Sequence, residues 1–211
     1  MVTKTSAADF LPAQRDLESL ATASKACRGC DLYRDATQTV FGEGPSHARL
    51  MLVGEQPGDR EDIEGHPFVG PAGRMLDKAI ADLTLSRHDY YVTNIVKHFK
   101  WKPKGKRRIH ETPRASEVRA CLPWLEAEID AVKPELIVCL GATAVAGLLG
   151  PAAKVTTHRG RVLESSYGPC LITTHPSSIL RVEDPDERNT AYALFLDDLR
   201  AGIAYLARAP S

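Results

Sequence analysis

Three kinds of residue in this chain could do chemistry, and each kind is clustered. Thiols come first. Cys27 and Cys30 have the CxxC spacing in which one turn lets two thiolates reach one centre, and Cys121 lies in a polar-flanked helical stretch, Arg119-Ala120-Cys121. Cys139 and Cys170 sit inside apolar strands, where a free cysteine behaves as a small buried hydrophobe. His98, in Val96-Lys97-His98-Phe99-Lys100, completes a possible Cys₃His centre. On ligand chemistry that set suits structural zinc as well as an iron–sulfur cluster.

The second kind is polar and stands at strand ends. The apolar run Leu50-Met51-Leu52-Val53 leads into Gly54-Glu55-Gln56-Pro57-Gly58, and Pro71 then opens a helix with Met75, Leu76 and Ala79 at helical spacing. Asn94 ends a second strand, and His175-Pro176-Ser177-Ser178 ends the last one. Residues so far apart in sequence converge if the sheet is parallel and they share its carboxyl edge. A Walker phosphate loop is excluded, because no Gly-Lys-Ser/Thr closes the glycine-rich stretch. The glycine spacing of a dinucleotide site is also missing.

The third kind is basic. Lys97, Lys100, Lys102, Lys104, Lys106, Arg107 and Arg108 follow one another without an acid, interleaved with Phe99 and Trp101. Cations neutralise phosphates and aromatics stack on unpaired bases, so this is a candidate nucleic-acid patch. His110 closes it. Neighbouring positive charge favours a neutral imidazole with a free lone pair, although such a histidine is more often a phosphate contact.

The elements that must carry these groups follow from periodicity. Strands are expected at 50–53, 90–96, 136–140, 162–163 and 171–174, and helices at 14–26, 71–83, 114–132, 141–149 and 187–207. Residues 97–113 read as a long basic loop and 1–13 as a loose tail. Alternating strands and helices make this an α/β chain: a three-layer α/β/α domain, spanning 1–211, with a mainly parallel central sheet. Its 211 residues, 43% hydrophobic and 26% charged, are those of a soluble globular protein. The N-terminus lacks the apolar core of a signal peptide, and the longest apolar run is too short for a bilayer. A cytoplasmic, monomeric protein with no membrane contact is expected. Twenty-seven basic and 27 acidic residues cancel, so any nucleic-acid contact must come from a local patch.

Taken together, Gly54-Glu55-Gln56-Pro57-Gly58, Pro67-Phe68-Val69-Gly70-Pro71-Ala72-Gly73, Thr93-Asn94-Ile95-Val96-Lys97 and His175-Pro176-Ser177-Ser178-Ile179-Leu180-Arg181 resemble the family 4 uracil-DNA glycosylases, and more closely their UdgX branch. The resemblance runs from about Cys27 to the C-terminal helix. Three departures from the general family pattern point to that branch: His98 where a cysteine is usual, Gln56 where a small residue is usual, and the Lys106-Arg107-Arg108-Ile109-His110 insertion.

The resemblance implies a [4Fe–4S] cluster on Cys27, Cys30, His98 and Cys121. It implies uracil-containing DNA as partner, single-stranded by preference, with the uracil flipped out of the stack. Phe68 would stack on the base and Asn94 read its O4 and N3–H edge. Glu55 would exclude thymine's methyl or orient a polar group. His175 would donate to O2, and Gln56 and Asp59 would belong to the substrate side. Ser177 and Ser178 would bind phosphates, and Arg181 would enter the space left by the base. Lys102, Lys104, Lys106, Arg107 and Arg108 would form the DNA-binding loop. In that branch the insertion's histidine, here His110, captures C1′ in place of water, leaving protein bonded to DNA in a single turnover.

Overall fold

The computed structural model describes residues 6–208. Its centre is a five-stranded sheet. The strands are β1 (Leu50–Gly54), β2 (Tyr90–Asn94), β5 (Leu136–Leu140), β6 (Val162–Ser165) and β7 (Gly168–Thr173), in the order β2-β1-β5-β7-β6. β2, β1, β5 and β7 run parallel, and β6 pairs antiparallel with β7 at the edge. Every residue of β1, β2 and β5 is buried, as expected of parallel strands covered on both faces.

Side-chain alternation divides the core in two. Met51, Val53, Ile137, Cys139, Cys170 and Ile172 point to one face. There they meet α1 (Leu17–Ser24), α4 (Ala115–Val132) and α5 (Ala142–Leu149) through Leu20, Trp124, Leu125 and Val145. Leu50, Leu52, Val92, Val138 and Leu171 point to the other. There Leu76 and Ile80 of α3 (Pro71–Asp82), Ile179 of α7 (Pro176–Leu180), and Phe195 and Leu199 of α8 (Pro185–Leu206) cover them. Helix, sheet and helix make the three layers expected. The chain leaves β1 for β2 on one side and returns to β5 on the other, so the strand order reverses beside β1. In an open α/β sheet a ligand crevice forms at the carboxyl end of that point.

Three stretches differ from the sequence reading. The N-terminal tail is not loose where it is described: Ala7–Phe10 form a 3-10 helix capped by Ser6, and Ala7 is fully buried near α4. Residues 1–5 lie outside the described range. The loop after β1 holds a short helix, α2 (Asp59–Glu64), and α6 (Val155–His158) precedes β6. The basic stretch is a hairpin, β3 (Trp101–Lys104) and β4 (Arg107–His110), turning at Gly105 with φ +60°. Trp101 pairs with His110 and Pro103 with Arg108. Strand alternation therefore puts Arg108 and His110 on one face and Arg107 on the other. Among the described residues no helix is long and apolar enough to cross a membrane.

Candidate functional site

A cleft of about 960 Å³ opens at the carboxyl edge of the sheet. Glu55 reaches it from the end of β1, Asn94 from the end of β2, Gly141 from the end of β5 and His175 from just beyond β7. Phe68, Gln56, Asp59, Ser177, Ser178 and Arg181 also line it, and His110 enters from the hairpin.

The floor depends on a missing side chain. Gly54 pairs with Asn94 in the β1–β2 register. A Cβ on Gly54 would stand 2.4 Å from Asn94 Oδ1 and 2.7 Å from Phe68 Cζ. Asn94 and the Phe68 ring, both buried, therefore occupy the space over Gly54. Phe68 is held in the left-handed region, φ +58°, a conformation that costs a non-glycine residue about 1–3 kcal/mol and clusters at functional sites. Gly73 accommodates it, since a Cβ there would overlap the Phe68 carbonyl at 1.7 Å.

Two histidines face the cleft. The Ser177 backbone N–H donates to His175 Nδ1 at 3.2 Å, and a backbone N–H can only donate. Nδ1 is thus an acceptor and the neutral ring carries its proton on Nε2. Burial lowers the His175 pKa to about 4, so the ring is neutral at physiological pH. His110 Nε2 lies 3.1 Å from Glu55 Oε1, and Thr143 of α5 donates its hydroxyl to Glu55 Oε2. Burial raises the Glu55 pKa, but hydrogen bonds from His110 and Thr143 outweigh it and hold the carboxyl below its ordinary range. The charge facing His110 is therefore an anion. Arg108, the cation on the same face of the hairpin, is paired with Asp59 and Asp62.

Arg108 donates to Asp59 Oδ1 at 2.6 Å and to Asp62 Oδ2 at 2.5 Å, and its guanidinium sits 5.4 Å from the Phe99 ring and 5.6 Å from that of Trp101. Asp59 is thus engaged by the hairpin. Lys97 is fully buried against Glu128, and Lys100 pairs with Glu117 at 3.0 Å. These three cations belong to the protein's own ion pairs, not to a solvent-facing patch. Lys104, Lys106 and Arg107 remain exposed, and exposed Lys102 stands 3.4 Å from Glu111. Phe99 is core and so has no face open to a base, whereas Trp101 is partly exposed and its indole N–H donates to the Asp35 carbonyl at 2.9 Å.

Gln56 spans the root of the hairpin. Its Nε2 donates to the carbonyls of Lys100 and Glu111, both at 3.1 Å, and its Oε1 accepts from the Lys100 N–H at 3.0 Å. The two serines are likewise engaged internally: Ser177 Oγ lies 2.8 Å from His175 Nδ1, and Ser178 Oγ donates to the His175 carbonyl at 2.7 Å. Arg181 is exposed at the cleft rim.

The thiol set packs on the face of the sheet covered by α1 and α4. Cys27 and Cys121 are buried and Cys30 is partly so. The Trp124 indole N–H donates to Cys27 Sγ and the Lys97 N–H to Cys121 Sγ, both at 3.2 Å. Burial pushes the Cys121 thiol up to about 12. The Thr39 hydroxyl spends its one proton on the Ser24 carbonyl at 2.9 Å, so at 3.1 Å it accepts from His98 Nε2, and the lone pair of His98 is on Nδ1. Burial lowers the His98 pKa to about 4. Among the described residues no three such side chains close on a point where a single ion would sit. Buried sulfurs that accept N–H bonds and a neutral imidazole with its lone-pair nitrogen fixed fit, as a donor set, an iron–sulfur cluster. Cys139 and Cys170 are buried in the core as expected.

The uracil DNA glycosylase superfamily profile matches residues 41–200. The chain belongs to that superfamily. Its match covers β1, β2, the hairpin, β7 and the cleft they frame. The chain is similar to a type-4 uracil-DNA glycosylase of Thermotoga maritima, 34% identical over 194 residues, covering 91% of this chain and 95% of that one. It is 38% identical over 175 residues to a type-4 uracil-DNA glycosylase of Pyrobaculum aerophilum, covering 79% and 85%. It is 40% identical over 127 residues to one from Saccharolobus solfataricus, covering 60% and 56%.

Four features of this superfamily member's site escaped the sequence reading. Thr143, three residues past the carboxyl end of β5, was detectable by position. The space over Gly54 was detectable only with the strand register. The Arg108 latch to Asp59 and Asp62 and the Lys97–Glu128 pair join segments 31 to 49 residues apart and carried no local signal.

Proposed function

We propose that this chain is a uracil-DNA glycosylase that captures its own product, with His110 bonding to C1′ once the uracil departs. The observation that carries the reading is the His110–Glu55 contact of 3.1 Å inside the same cleft as Asn94, Phe68 and His175. The type-4 relatives support the excision half of it.

In this reading a flipped uracil stacks on Phe68 and is read along its O4 and N3–H edge by Asn94. The C1′–N1 bond breaks with its electron pair leaving on uracil. His175, neutral and protonated on Nε2, donates to O2 as that charge develops. The sugar is left as an oxocarbenium-like centre. A lone-pair nitrogen of His110 bonds to C1′, and the resulting imidazolium stands against the Glu55 carboxylate, which stabilises the positive charge. Glu55 thus orients a polar group. Arg181 at the rim suits the space left by the base.

Cys27, Cys30, His98 and Cys121 would hold a [4Fe–4S] cluster. When bound it supplies rigidity to the segments that flank the hairpin, since glycosidic cleavage transfers no electrons. Lys104, Lys106 and Arg107, with Lys102, offer phosphate contacts along single-stranded DNA.

The second reading is a type-4 enzyme that turns over, in which water captures C1′; the identity to the type-4 relatives favours it. Denaturing gels with single-stranded uracil DNA, run beside a free-uracil assay, separate the two. A shifted band in proportion to uracil released supports capture. Many uracils released per protein with no shifted band overturns it.

A further inference from the structure

Lys97 reads in sequence as one more cation of a basic run, yet its side chain is fully buried, as is that of Glu128. All three ammonium donors are used: on Thr93 Oγ1 at 2.6 Å, on the Asn94 carbonyl at 2.7 Å, and on Glu128 Oε2. Glu128 is saturated in turn. Its Oε1 accepts from the Gly42 N–H, the Tyr91 hydroxyl and the Thr93 hydroxyl, each at 3.0 Å. Two charges without access to water need such complete partnering. What the arrangement encloses is the last turn of backbone at β2: Thr93 before Asn94, the Asn94 carbonyl itself, and Lys97 three residues on. The Asn94 side chain, by contrast, reaches the cleft.

We propose that Lys97 and Glu128 are a positioning pair that fixes the peptide carrying Asn94, so that the Asn94 amide meets the base edge at one height and angle. This rests on the reading of Asn94 as the base-recognising residue. An asparagine amide discriminates only when its donor and acceptor are presented without play, since a rotated peptide would let it adapt to a different edge. A local lysine, four residues past Thr93, cannot provide this alone. Its charge must be answered inside the core, and Glu128 of α4 does that while anchoring it to a second element.

The pair also adjoins the thiol set, because the Lys97 backbone N–H donates to Cys121 Sγ. The proposal concerns the side chain alone, so the experiment monitors both.

The test uses Lys97→Met/Glu128→Gln, which removes both charges together and leaves no buried ion unanswered. Single-turnover uracil excision, affinity for uracil-free single-stranded DNA, and the near-400 nm absorbance of bound iron–sulfur (roughly where such clusters absorb) are measured for this variant, for Asn94→Ala, and for the combination. Excision should fall about 10- to 100-fold in the paired variant, as expected of a small misplacement. DNA affinity and absorbance should stay unchanged, and the combination should be no slower than Asn94→Ala alone. Thr93→Val, which keeps volume and removes the hydroxyl between the two charges, stands in with the same readouts if the paired variant does not fold. Wild-type excision in the folded variant overturns the proposal, as does slowing that adds to that of Asn94→Ala, which would mean a general structural role. An Asn94→Ala protein that excises normally overturns both the base-recognition reading and the inference built on it.

Discussion

Glu55 and His110 are joined across the mouth of the cleft, Oε1 to Nε2 at 3.1 Å, although 55 residues separate them in the chain. One comes from the carboxyl end of β1, an interior parallel strand, and the other from the β3–β4 hairpin. The pairing sets a carboxylate against the histidine of the basic insertion, the residue proposed as the nucleophile.

Replacing His110 separates capture from excision. His110→Gln removes the lone-pair nitrogen and should abolish the shifted band on a denaturing gel. His110→Ser leaves room for water beside C1′ and should release uracil repeatedly without an adduct, because Phe68, Asn94 and His175 are untouched. Protein from His110→Gln that still carries DNA through boiling detergent would move the nucleophile to another residue.

Gln56→Ala should loosen the hairpin at its root, since it removes three hydrogen bonds to Lys100 and Glu111 together. The effect should fall on capture more than on base release, because His110 is on the hairpin and Asn94 and His175 are not. A misplacement of about 1 Å costs on the order of 10²-fold in rate. Rates of adduct formation and of uracil release, timed separately, check this; equal reductions would place Gln56 in base binding instead.

The thiols are predicted to divide. Cys121→Ala should lose iron and folded protein, and Cys139→Ala should keep iron while losing about 1 kcal/mol of core packing. Iron content and urea midpoints decide. Bleaching in Cys139→Ala with retention in Cys121→Ala would refute the ligand set.

Salt dependence should trace the DNA path. Lys104, Lys106 and Arg107 are exposed, whereas Arg108 is held by Asp59 and Asp62. Changing the three exposed residues to Gln should flatten the log affinity against log salt plot, by roughly 0.7 for each phosphate of a single strand that is no longer neutralised. Arg108→Gln should leave that slope alone and instead reduce capture by freeing the hairpin from α2. A slope unchanged by the triple substitution would put the DNA elsewhere.

Stability should fall on mild acidification. His175 in the folded protein has its pKa lowered to about 4 by burial, against about 6.5 when unfolded. The unfolded chain then binds a proton the folded one refuses, so the contribution is complete above ~6.5 and is lost as pH falls from there toward 4. Allowing for the ring edge open to the cleft, the loss is ~2 kcal/mol. Urea unfolding at pH 7.5 and 5, for wild type and His175→Gln, isolates it: the variant should lose less stability than the wild type over that interval.

Much of this protein is written locally. Short unbroken apolar runs such as Leu50 to Val53 and Leu136 to Leu140, bounded by Gly or Pro, read as buried strands, and their alternation with amphipathic helices points to a covered parallel sheet. Such a sheet necessarily brings strand-end residues to one edge, which is why Glu55, Asn94 and His175 are legible as one site from sequence. The basic stretch is not. A run of seven cations carries no sign of which way each side chain turns. That is decided by the two-residue period of a hairpin and by acids far away in sequence: Glu128 takes Lys97 into the core, Glu117 takes Lys100, and Asp59 with Asp62 takes Arg108. Gln56 likewise looks like a cleft residue in sequence and becomes a hairpin anchor only when the carbonyls of Lys100 and Glu111 arrive beside it. Short-range periodicity determines elements and the edge where they end. Buried charges and amides choose their partners by proximity in space, because each must be satisfied once water is excluded, and only the tertiary structure decides which partners are near.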